Sequence, residues 1–213
     1  MLPAPTQYAL FIVGTIALLI TPGPAVLYVV TRSVDQGRRA GLVSVLGLQG
    51  GTFFHVLGAA LGLSAILLSS ALAFDVVKYL GAGYLIYLGI RKLRAPAYNP
   101  TAIQTEPIPL HRVFSQGILV NILNPKTALF FFAFLPQFVN VSRGNVPLQM
   151  LSLGVTFCLL ALCTDSMYAL LAGTAGTWLR RSHSFWRFER YFAGSVYIGL
   201  GLFAAFSGSG KKA

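Results

Sequence analysis

Four residues, Thr21-Pro22-Gly23-Pro24, interrupt an apolar run that is otherwise long enough to cross a membrane. Each proline lacks an N–H, and its ring blocks the bond to the carbonyl four residues earlier, so Leu18 and Ile20 lose their helical partners. Near the middle of a bilayer, free backbone groups persist only against protein or a polar cavity. The half-helix restarting near Gly23 offers unpaired N–H groups and a positive dipole end, which suit a carboxylate. A second break reads Asn121-Ile122-Leu123-Asn124-Pro125-Lys126. Here Pro125 frees the carbonyl of Asn121, the amides of Asn121 and Asn124 share one face, and Lys126 adds a cation close to mid-span. Two such breaks facing each other would offer an anion site together with acceptors for an ammonium group, the two ends of an amino acid.

Asp165 is the carboxylate that falls deepest within an apolar stretch, where inserting its ionised form costs roughly 2.5–3.5 kcal/mol. It should face the interior and have a partner. Lys126 is the candidate, with Tyr168 one turn further along the same face as a hydrogen-bonding neighbour. The pair then either binds a substrate ammonium or carries a coupling proton, or else serves structure alone. His55 lies near the middle of its span and has an intrinsic pKa of ~6.5, which makes it a second proton-coupling candidate; the plainer alternative is a hydrogen-bonded buried histidine. Gln49 reads as a cavity-lining or helix-bridging amide. The glycines 47, 50, 51, 58 and 62 permit close helix approach. Cys158 and Cys163 are five positions apart on different helix faces, which argues for small packing residues rather than a disulfide or metal pair. The pattern calls for no cofactor and no metal.

The elements that must position these groups follow from composition. Of 213 residues, 55% are hydrophobic and 10% charged, against roughly 45–50% and about 25% in soluble domains. About 20 helical residues cross a hydrocarbon core of ~30 Å. Spans are predicted at about 7–30, 42–68, 71–90, 113–138, 147–173 and 190–207. A β-barrel is excluded because Leu42 to Leu68 is apolar throughout rather than alternating. The net charge of +11 sits at the ends of apolar runs, so it marks topology rather than a nucleic-acid surface. Arg32, Arg38 and Arg39, then Arg91, Lys92, Arg94 and Arg112, then Arg180, Arg181 and Arg187 fall on one side. Lys78, Arg143, Lys211 and Lys212 fall on the other. This bias puts the three odd-to-even loops in the cytoplasm and both termini outside. Tyr8 to Ile20 has neither a basic residue before it nor a small-x-small cleavage site after it, so no cleaved leader is expected. The segment from Ser207 to Ala213 is expected to be disordered.

The two halves resemble each other. Tyr79, Ile86, Leu88 and Gly89 in span three match Tyr191, Ile198, Leu200 and Gly201 in span six, while Gly14, Pro22 and Ala25 match Gly117, Pro125 and Ala128. The expected fold is therefore an all-α membrane protein of six transmembrane helices, built as two inverted three-helix repeats with Pro-broken helices one and four. It forms one transmembrane domain over residues 1–213, with repeat one at about 7–90, a cytoplasmic linker at about 91–112 and repeat two at about 113–207.

These motifs, in this order, resemble the LysE/RhtB family of amino-acid exporters. The matching text is Thr21-Pro-Gly-Pro24 with Gly37 to Gly41, Gly81-Ala-Gly-Tyr-Leu-Ile-Tyr-Leu-Gly89 with Arg91, and Asn124-Pro-Lys126 leading into Phe130-Phe131-Phe132 and Leu135-Pro-Gln-Phe138. The likeness spans about residues 7 to 206. It implies a secondary transporter, not an enzyme, that exports amino acids or close derivatives by proton exchange. Its partners would be the amino-acid substrate, the lipid bilayer and the proton; a homo-oligomer is compatible with it. It leaves the individual amino acid open, and the short loops and tail imply no fused regulatory domain. The alternatives are export of another small solute or a metal ion, or a membrane scaffold. A thiol-redox carrier would need cysteines at the breaks, where Thr21 and Asn124 to Lys126 stand instead. A divalent-metal carrier would want clustered donors, whereas Asp165 and His55 stand apart in sequence. No His-Glu-x-x-His or comparable catalytic motif is present.

Overall fold

The computed structural model describes residues 4–63, 65, 70–94, 107–181 and 183–206, and every regular element among them is helical. Helix α1 runs Pro5–Ile20 and α2 Pro24–Gln36. Helix α3, Arg38–Leu57, continues as a π-helical turn, Gly58–Leu63. Helix α4 is Ala71–Arg94, α5 Leu110–Ile122 and α6 Pro125–Leu129. A π-helical segment, Phe130–Phe134, and a 3₁₀ turn, Leu135–Phe138, extend α6. After a short 3₁₀ turn, Val141–Arg143, come α7, Val146–Arg181, and α8, His183–Phe206.

The prolines decide the breaks. Helix α1 stops at Ile20 and α2 restarts at Pro24, whose missing N–H costs nothing in a first turn. Helix α5 stops at Ile122 and α6 restarts at Pro125, capped by Asn124 Oδ1, which accepts from the Lys126 backbone N–H at 3.1 Å. The two broken pairs bend by 50° and 47°. Pro136 likewise cannot donate to the turn before it, and the backbone there passes from π to 3₁₀ geometry. This irregular tail to span four is absent from the sequence reading.

Among the described residues, helices Arg38–Gly62 and Val146–Thr174 are long and apolar enough to cross a membrane, and there are up to four such spans if each bent pair counts as one. Large apolar side chains point outward on the long helices, among them Val13, Phe53, Leu80, Leu119, Leu159 and Phe206. A surface so apolar is suited to lipid rather than water. Inside, phenylalanines from the irregular tail fill the core: Phe130 lies 4.7 Å from Phe157, and Phe134 lies 5.4 Å from Phe203.

Three expectations about element ends change. The loop expected at 31–40 shrinks to Gly37, whose φ of +84° turns the chain from α2 into α3. Arg32 is therefore helical and buried, donating to Gln36 and Gln116 at 3.0 and 3.1 Å. Lys78, read as a flanking charge, lies inside α4 and is buried, with its ammonium 4.9 Å from the Tyr79 ring centre. Arg180, Arg181 and Arg187 belong to α7 and α8 rather than to an open loop. Thr105, Lys211 and Lys212 lie outside the described residues.

Candidate functional site

Close helix approach is the precondition for the site. A Cβ on Gly47 would lie 3.1 Å from the Gly117 Cα, and one on Gly51 would lie 2.6 Å from the Ile118 carbonyl oxygen. Helices α3 and α5 therefore meet backbone to backbone, at a spacing only glycine permits. Gly62, by contrast, has nothing within 4 Å among the described residues.

That contact brings Asn121 into reach of α3. Its amide donates to the Leu48 carbonyl and to Thr52 Oγ1, each at 2.7 Å. Its side-chain oxygen accepts from Thr127 Oγ1 at 2.9 Å and from Asn124 Nδ2 at 3.4 Å. The carbonyl that Pro125 frees is taken by the Asn124 backbone N–H at 3.1 Å and by His55 Nε2 at 2.9 Å. A carbonyl only accepts, so Nε2 carries the hydrogen. His55 is further held by Phe131, with ring centres 6.0 Å apart and planes nearly parallel.

The first break is satisfied from across the molecule. Lys126 Nζ donates to the Leu18 carbonyl at 2.9 Å and to the Thr21 carbonyl at 2.6 Å. Tyr168 donates its hydroxyl to the Ile20 carbonyl at 2.6 Å, and Thr21 Oγ1 to the Ala17 carbonyl at 2.8 Å. The carbonyls of Leu18 and Ile20, whose i+4 partners are prolines, thus accept from Lys126 and Tyr168, side chains far away in sequence, and that of Leu18 also accepts from the Thr21 backbone N–H at 3.1 Å. Lys126 and Tyr168, expected beside Asp165, also serve the break.

Two cavities meet at Lys126. One, of about 20 Å³, is lined by Ala25, Asn121, Asn124, Lys126, Thr127 and Asp165, and holds roughly one water molecule. The other, of about 220 Å³, is lined by Pro24, Leu88, Arg91, Lys92, Pro125, Lys126 and Tyr197. Asp165 is buried at 6% exposure, and the charge of Lys126 acts on it. The broken helices approach closely, since a Cβ on Gly23 would lie 3.3 Å from Lys126 Cδ and 3.5 Å from the Tyr197 hydroxyl.

Of the residues singled out by sequence, the smaller cavity gathers Asn121, Asn124, Lys126 and Asp165, and the larger gathers Pro24, Pro125 and Lys126. The helix-starting prolines are Pro24 and Pro125; Pro22, which the repeat alignment paired with Pro125, lies in the gap between α1 and α2. Gln49 finds no hydrogen-bond partner for either side-chain polar atom. Cys158 and Cys163 are free thiols. Thr52, Thr127, Tyr197 and the pair Arg91 and Lys92 were missed as site residues. Thr127 carried a signal, standing next to Lys126 in the break motif; a tyrosine in an apolar helix carried none.

The LysE type translocator profile matches residues 16–208. The homoserine/homoserine lactone efflux protein of Salmonella typhimurium is 31% identical over 195 residues, covering 92% of this chain and 94% of that protein. Membrane protein YrhP of Bacillus subtilis is 32% identical over 197 residues, covering 87% and 91%. The leucine efflux protein of Salmonella typhimurium is 29% identical over 168 residues, covering 78% and 79%. No solved structure matches.

Proposed function

Because this chain belongs to the LysE type translocators, membrane transporters rather than enzymes, we propose that it exports amino acids or close derivatives from the cytoplasm across a bacterial inner membrane, by exchange for protons. The observation that carries this reading is that both broken helices line one cavity, with Pro24, Pro125 and Lys126 in its wall. Broken helices around a mid-membrane cavity are how secondary transporters build sites for small charged solutes. Relatives named for efflux of homoserine and of leucine support an amino acid as the cargo.

The site residues divide by chemistry. The segment Thr21, Pro22, Gly23 and Pro24 supplies polar backbone at one break; Asn121, Asn124, Pro125 and Lys126 supply amides and a cation at the other. Asp165 is the acceptor for a substrate ammonium or for the coupling proton, Tyr168 supports the first break, and His55 remains a second proton-coupling candidate. Arg91 and Lys92 are cytoplasmic by the basic bias and line the larger cavity. They would draw a carboxylate toward the side from which an exporter loads.

The whole chain would form one transmembrane domain of six spans, with α4 and α8 as spans three and six and both termini outside. Each of these helices has 24 residues, about 36 Å at 1.5 Å per residue. Inverted repeats find support in how the two pack. A Cβ on Gly89 would meet Ile198 and the Gly194 carbonyl, and one on Gly201 would meet Ile86 and the Ala82 carbonyl. The contacts exchange under the same offset that aligns spans three and six in sequence, as a local two-fold axis requires.

Inverted vesicles bearing the protein, supplied externally with a panel of labelled amino acids in the presence and absence of an imposed proton gradient, test the reading. Gradient-stimulated uptake of at least one amino acid or derivative is expected. No uptake of any of them above protein-free vesicles would overturn it.

A further inference from the structure

Lys126, expected from sequence beside the Asp165 carboxylate, donates its ammonium to two backbone carbonyls of the opposite broken helix, Leu18 at 2.9 Å and Thr21 at 2.6 Å. Three features make this a built site. Pro22 removes the i+4 N–H from the Leu18 carbonyl, which keeps only the Thr21 backbone N–H at 3.1 Å, and Thr21 is the extended residue that ends α1, so its carbonyl lies beyond the helix. Gly23 leaves room for the incoming chain, since a Cβ there would lie 3.3 Å from Lys126 Cδ and 3.6 Å from Nζ. Lys126 itself is 5% exposed, so its N–H donors exchange little with water.

We infer that the carbonyls of Leu18 and Thr21 form a binding site for a primary ammonium group, and that Lys126 fills it in this conformation as a tethered occupant. The negative end of α1 favours a cation there, as helix C-termini do. Lys126 also stands in the walls of both cavities, between the compartment of Asp165 and that of Arg91 and Lys92. The occupant therefore doubles as the partition between them. A solute with its own ammonium group competes for the same two carbonyls, and displacing Lys126 joins the cavities. This inference shares Lys126 with the export reading, but its test reads thermal stability and not transport, so the two fail separately.

Replacing Lys126 with alanine removes, atom for atom, a propylammonium ion. The purified Lys126→Ala protein is expected to melt below wild type and to regain stability, saturably, with propylammonium chloride. Tetramethylammonium chloride, which has no N–H to donate, should not act at equal concentration, and wild type should respond to neither. Equal effects of the two cations, or a wild-type melting temperature in Lys126→Ala, would overturn the assignment. The rescue should persist in the double variant Lys126→Ala with Asp165→Asn; its loss there would give the ammonium to Asp165 and overturn the carbonyl site. Should Lys126→Ala fail to fold, Lys126→Gln and Lys126→Met replace it. Glutamine retains N–H donors and should melt higher; methionine melting at or above glutamine would refute the site.

Discussion

Asp165 and Lys126 are two opposite charges in a largely apolar interior, lining one small cavity, and Lys126 has a second duty. Lys126 answers the carbonyls of the first break, while Asp165 faces the small cavity shared with Asn121, Asn124 and Thr127. A carboxylate so costly to insert, with its cation also engaged elsewhere, is best suited to a role that recurs in the transport cycle. Asp165→Asn keeps the shape and removes the charge, so its folded yield should match wild type while gradient-driven export falls at least about tenfold, roughly 1.4 kcal/mol in barrier. Breaking one member of a buried pair can cost about 3–5 kcal/mol by stranding the other charge. The double variant Asp165→Asn with Lys126→Met controls for that. Wild-type gradient-driven export in both well-folded variants would remove Asp165 from the mechanism.

At the scale of elements, the site depends on how closely α3 and α5 pack. The amide of Asn121 spans that contact at 2.7 Å to Leu48 and Thr52, and His55 spans it in the other direction. Gly51→Leu should push the helices apart, because its Cβ meets the backbone of Ile118 and a carbonyl cannot swing aside. Overpacking of this kind costs typically 1–3 kcal/mol, and the separation would also leave the Asn121 amide short of partners. A lower melting temperature together with lost export is expected. Gly62→Leu, with nothing within 4 Å among the described residues, serves as the matched control and should stay within about 0.5 kcal/mol of wild type. Equal destabilisation by the two would mean that helix propensity, not the close approach, governs.

For the whole molecule, the charge bias predicts orientation. Reporter fusions should show the loop around Thr105 in the cytoplasm and the loop around Arg143 outside. Activity of an external-only reporter at Thr105, with none at Arg143, would reverse the protein in the membrane. The reversal would also turn the larger cavity, lined by Arg91 and Lys92, away from the side on which an exporter loads.

Sequence alone determined a helical membrane protein with breaks at Thr21–Pro24 and Asn121–Lys126, because apolar run lengths and proline act locally and need no knowledge of neighbours. It also singled out Asn121, Asn124, Lys126 and Asp165, since a polar group in an apolar run is conspicuous wherever the chain folds. Tertiary structure alone decided which partner each group meets. Lys126 reaches Leu18 and Thr21 across more than a hundred residues, and Tyr168 reaches Ile20 across a similar distance. No periodicity encodes such pairings, because they depend on how the bent helices pack. The expected grouping of Asp165, Lys126 and Tyr168 left out the freed carbonyls, which draw on the same two donors. Helix ends shifted for a related reason: a basic residue near a membrane face can be helical and buried, as Arg32 and Lys78 are, when neighbouring elements supply the contacts a loop would have sought from water.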